Sequence, residues 1–214
     1  MGYPPNYPRD MRNRSIASVA AACASIGALM LTGCGTSTPT AEQSTSSNAA
    51  EASAADQILA PLGLAGEDAE QVIEALDRTP VAERPEDTIA SVRHSELVLQ
   101  NQSTEATLPI EGDKHYLSVA PYVSQTHECH FHSLTTCQGE LANTPIDVKI
   151  TDAQSGDVLI DKTITTYDNG FFGVWLPRDI SYELTMSADG KSAVVPGATG
   201  QDDLTCMTTP AKLT

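Results

Sequence analysis

Two-residue alternation of apolar and polar side chains fills most of the chain beyond Ser95, and it limits the fold more than any other feature. ELVLQ, ATLPI and HYLSVAPYV alternate between the turn-like stretches QNQSTE and EGDK. Past Glu140 the period continues through IDVKITD, DVLIDKTI, FFGVWL, YELTMS and KSAVV, separated by AQSG, YDNG and ADG. A strand points successive side chains to opposite faces, so this pattern buries one face of each strand and wets the other. Short strands at regular spacing predict a small antiparallel sheet followed by a β-sandwich or open barrel. ADG is a hairpin signal. Phe171, Val174, Trp175 and Leu184 are expected in the core, and NGFFG lacks the strand-turn-helix setting of a phosphate-binding loop.

Upstream the pattern changes. ADQILAPLG and GEDAEQVIEALDR read as two short helices, the first broken at Pro61 and Gly63, the second acidic in its first turn with Val72, Ile73 and Leu76 on one side. TPVAERPEDT turns the chain, because its prolines exclude a helix interior. The expected class is α+β: short N-terminal helices with a small antiparallel sheet over residues 53–126, then a Cys/His-rich segment and a β-rich, sandwich-like domain over residues 127–214.

The first 33 residues read as an export signal, with Met11 an alternative start. Arg12 and Arg14 precede an apolar run too short for a membrane span. Leu31-Thr32-Gly33-Cys34 resembles a bacterial lipoprotein box, so Cys34 is the expected acylation site and the anchor to the membrane of the cell envelope. Two acyl chains hold firmly where one does not. Residues 34–52, poor in large apolar side chains, are expected to be a flexible linker.

Without residues 1–33 the chain keeps 9 Lys+Arg against 27 Asp+Glu. Nucleic-acid binding relies on clustered cations that neutralise phosphates, and this composition excludes it.

Against that background HECHFHSLTTC, residues 127–137, concentrates three of the five histidines and two of the five cysteines. With Cys23 in the signal and Cys34 acylated, three cysteines remain: Cys129, Cys137 and Cys206. An odd number in an exported protein calls for a free thiol, an intermolecular pair or another use. Cys129 and Cys137 are the pair nearest in sequence and the first candidates for a redox couple. Thiolates suit Cu(I) or zinc, and imidazole adds a donor for either. The seven residues between Cys129 and Cys137 are too many for a zinc CxxC pair, and no HExxH helix suggests a zinc hydrolase. An extended 127–132 segment would put His127 with Cys129 and turn His130 and His132 to the other face, whereas a tight loop would change that assignment. His94 and His115 look isolated. Read without the cluster, the β-rich half would suit a non-catalytic surface or adhesion module held by a disulfide.

YLSVAPYVSQTHECHFHSLTTCQGEL, DNGFFGVWLPRDI and DDLTCMTT together resemble the CueP family of bacterial extracytoplasmic copper-binding proteins, from about residue 53 to the end. The resemblance implies copper sequestered as Cu(I), reduction of Cu(II), supply to a copper-accepting enzyme such as a Cu,Zn superoxide dismutase, and a homodimer. It places the family's functional cysteines on Cys129, Cys137 and Cys206, with His127, His130 and His132 in the histidine-rich segment. A lipid anchor departs from the family's soluble periplasmic members.

Overall fold

The computed structural model describes residues 42–214. The signal, the alternative start and Cys34 lie outside the described residues. Helix α1 spans Glu42–Leu59 and helix α2 Ala69–Arg78. Ten strands follow: β1 Ile89–Val92, β2 Glu96–Gln100, β3 Glu105–Pro109, β4 His115–Val119, β5 Pro145–Asp152, β6 Val158–Thr165, β7 Phe172–Leu176, β8 Ser181–Ala188, β9 Lys191–Ala198 and β10 Cys206–Met207.

The helices come first in causal order. α1 reaches back to Glu42, into the stretch whose composition suggested a flexible linker. Alanine is the best helix former, so an Ala-rich segment without large side chains continues a helix once its end is anchored, here by buried Ala55, Ile58 and Leu59. α2 starts at a capping box, in which Asp68 accepts from the backbone of Gln71 and Gln71 returns the bond. Its Val72, Ile73 and Leu76 are buried, each contributing roughly 1.5–3 kcal/mol by leaving water.

The strands form three sheets, ordered β1-β2-β3, β10-β4-β7 and β6-β5-β8-β9. All pairings are antiparallel except β10 on β4, which is parallel with Cys206 opposite Ser118. The middle sheet takes β4 from before residue 126 and β7 and β10 from after it. The sheet therefore crosses the boundary expected between two domains.

β4 is buried along its whole length because it serves two cores. Leu117 and Val119, with Phe172, Val174 and Leu176 of β7, pack on Ile146, Val148 and Ile150 of β5 and Leu184 and Met186 of β8, giving the sandwich-like half. Tyr116, on the opposite face, joins a second core of α1, α2 and β1–β3. Ala120, Phe171 and Cys206 form a small third cluster, against which Cys129 and Cys137 pack.

Candidate metal centre

The Cys/His segment is not a strand. It is held along its length by bonds to distant residues. The backbone of His132 donates to Thr205 Oγ1 (3.0 Å), and that hydroxyl donates to the Val92 carbonyl (2.8 Å). His132 and Leu134 also bond to the edge of β1, through Val92 N to His132 O (2.8 Å) and Leu134 N to Ala90 O (2.9 Å). The His130 carbonyl accepts from the backbone of both Thr205 and Cys206, at 2.9 and 3.1 Å. Arg84 Nη1 donates to the Cys137 carbonyl at 2.7 Å, closing the far end. At the near end the Glu140 carboxylate accepts from the backbone of Val123, Ser124 and Gln125, bonds that hold its pKa below the ordinary value.

This framework brings three sulfurs together. Cys129 and Cys206 form a disulfide with Cα atoms 5.6 Å apart. Cys137 is free, and its Sγ lies 3.7 Å from Cys129 Sγ. Around a three-coordinate ion with bonds of about 2.3 Å, sulfurs sit about 4 Å apart, so the spacing suits a shared soft ion once the disulfide is reduced. Two overlapping groups of ligand atoms arise, each with members within 4.8 Å of one another: His132, Cys137 and Cys206, which is the more buried, and His127, Cys129 and Cys137, which is open through His127. Cys137 belongs to both. Phe171 lies beneath, its ring 4.6 Å from that of His132 and 6.4 Å from that of His127.

Behind His132 stands a carboxylate. Asp77 Oδ1 is 3.0 Å from His132 Nε2, and both side chains are fully buried. Asp77 also accepts from Tyr116 (2.8 Å), Ser118 (3.1 Å) and Asn169 (2.9 Å). Burial pulls Asp77 upward, but His132, Tyr116 and Asn169 hold its pKa below the ordinary value. Burial likewise opposes the His132 imidazolium, yet the charge of Asp77 outweighs it and pushes His132 up to about 9. His132 Nδ1 has no hydrogen-bond partner of ordinary geometry, although the ring and Cys137 lie close enough to bias each other's protonation. For Cys137, burial works against the thiolate, while His132, the Ser133 backbone and Arg84 bring the thiol below its ordinary value. A histidine tied to a carboxylate by one nitrogen and free at the other is a common arrangement of metal-ligating histidines.

Residues 71–211 match the family described as periplasmic copper-binding protein CueP. The crystal structure of S.CueP is 44% identical, with a TM-score of 0.69, and the match covers 74% of this chain and 96% of that one. The chain belongs to the CueP family. No curated protein matches it. Family membership makes copper the relevant ion, and the convergent thiols and imidazoles of this CueP chain have the donor chemistry to hold it.

Two readings of the sequence change in this CueP structure. The disulfide joins Cys129 to Cys206 rather than to Cys137, because the parallel pairing of β10 with β4 and the His130 carbonyl deliver Cys206 to Cys129. No strand forms over 127–132, so the alternation does not govern the histidines: His127 does group with Cys129, but His132 reaches sulfur as well, and exposed His130 is in neither group, its ring instead meeting Phe131 edge-on at 4.5 Å. Asp77 escaped the sequence reading altogether. It looks like one more acidic residue in a helix, and only the fold shows that it is buried.

Proposed function

We propose that this protein sequesters copper outside the cytoplasm as Cu(I), held by thiolates of Cys129, Cys137 and Cys206 with His132, and with His127 at the open side. The observation that carries the proposal is the meeting of three sulfurs from distant parts of the chain beside two imidazoles. Thiolate favours the monovalent ion, and burial of His132 and Cys206 limits access of water and oxidant.

The same sulfurs suit reduction of the divalent ion. Two thiols oxidised to one disulfide release two electrons and two protons, and the electrons convert two Cu(II) to two Cu(I). The Cys129–Cys206 disulfide supports assigning those two cysteines as the donor pair, with Cys137 retaining a product ion. Without a recycling reductant the reaction is stoichiometric. Copper then passes to an accepting enzyme, such as a Cu,Zn superoxide dismutase, from a protein tethered to the membrane by acylated Cys34 and able to form a homodimer.

Anaerobic addition of Cu(II) to fully reduced protein tests the redox part. Expected is the loss of two thiols for every two Cu(I) trapped by a chelator. An unchanged thiol count with no Cu(I) would end it.

A further inference from the structure

A second pair of imidazoles meets away from the sulfurs. His94 lies in the bend between β1 and β2, and His115 opens β4. Their ring centroids are 5.8 Å apart, with the planes tilted by 54°. His115 is fully buried, yet among the described residues neither of its ring nitrogens has a hydrogen-bond partner, and buried Nδ1 of His94 has none either. Buried polar atoms in native folds are nearly always partnered, so three orphaned imidazole nitrogens together call for an absent group. Arg178 Nε and the Tyr182 hydroxyl are orphaned too. The Asp203 carboxylate lies near enough to act on both His115 and Tyr182.

We infer that His94 and His115 form a second metal site, separate from the thiol centre, for a borderline divalent ion of the Zn2+ or Cu2+ class. Spacing supports it. With a metal-nitrogen bond of about 2.0 Å, two imidazoles on one ion have centroids about 5 Å apart at a tetrahedral angle and about 6 Å apart when opposed; 5.8 Å lies inside that range. Donor chemistry supports it as well: imidazole without thiolate suits zinc or divalent copper. Burial above all keeps His115 uncharged, at about 4, so its lone pair is available at neutral pH. The Leu204 carbonyl is near enough to favour a proton on His115, though no ring nitrogen bonds it in ordinary geometry. It therefore suits the nitrogen that stays protonated while the other binds the ion. Asp203 favours a charge on His115, while His94 and Arg178 oppose it. Half-buried His94 forms the entrance.

The site does not depend on the thiols and can be tested without them. Oxidised full-chain protein carrying Cys23→Ser, Cys34→Ser and Cys137→Ser keeps the Cys129–Cys206 disulfide and offers no thiolate. Loaded with zinc chloride and desalted, it should retain about one zinc per chain by elemental analysis. His94→Ala and His115→Gln should each abolish retention, and His127→Ala should leave it intact. His94 sits in a half-buried bend, so its variant decides the question even where the His115 variant fails to fold. No retained zinc, zinc indifferent to His94→Ala, or zinc lost with His127→Ala would each overturn the inference.

Discussion

Asp77 gives up all contact with water near the end of α2 and is repaid by four side-chain partners, His132, Tyr116, Ser118 and Asn169. Its charge holds His132 protonated in the metal-free protein and its geometry fixes which ring nitrogen faces the sulfurs. Asp77→Asn keeps the shape and removes the charge. In that variant the His132 pKa should fall from about 9, followed by NMR titration of the ring, and Cu(I) affinity should drop about 10- to 100-fold, the usual effect of losing such a support. Unchanged affinity would show that His132 is not a ligand. Among the histidines of the loop, His130 is the control. His130→Ala should leave Cu(I) affinity unchanged in a chelator competition, while Ser at Cys129, Cys137 or Cys206 should weaken it strongly.

At the scale of elements, the middle sheet sets the site, and Gly173 of β7 shows how. Gly173 pairs with Ser118 of β4, and a Cβ there would overlap the hydroxyl of Tyr116, the group that bonds Asp77. Gly173→Ala should therefore destabilise the fold by about 1–3 kcal/mol, typical of overpacking, and weaken copper binding although it touches no ligand; thermal melts and the competition assay check both. Elements of this kind were unevenly legible. β5 reads directly from PIDVKITD because one face alone is buried. The β8–β9 turn reads from ADG because Asp189 and Gly190 both take positive φ, 50° and 74°, as a tight hairpin demands. β10 has only two residues and leaves no periodic signal, yet its parallel register on β4 delivers Cys206. Which cysteine joins Cys129, and which of the three loop histidines reach the sulfurs, were hidden for the same reason: both follow from tertiary bonds at Thr205 and β1, not from local spacing.

Over the described residues a helix-capped core and a sandwich meet through the middle sheet, and its strand β4 carries a buried titrating group. His115 is buried neutral with its pKa lowered to about 4, while an unfolded histidine titrates near 6.5. The unfolded chain thus binds the extra proton first. Its contribution to stability is complete above about pH 6.5 and is lost as pH falls toward 4, by at most about 1.4 kcal/mol per pH unit. Metal-free protein should melt at progressively lower temperature over that interval, and His115→Gln should flatten the slope if it folds; an identical slope would place the acid sensitivity elsewhere. The central claim, however, concerns the sulfurs. X-ray absorption at the copper edge of reduced, Cu(I)-loaded protein tests it most directly. The account predicts a monovalent edge, a shell dominated by sulfur with one nitrogen neighbour, and loss of sulfur in Cys206→Ser. A shell of nitrogen and oxygen alone, or one unchanged by Cys206→Ser, would contradict it.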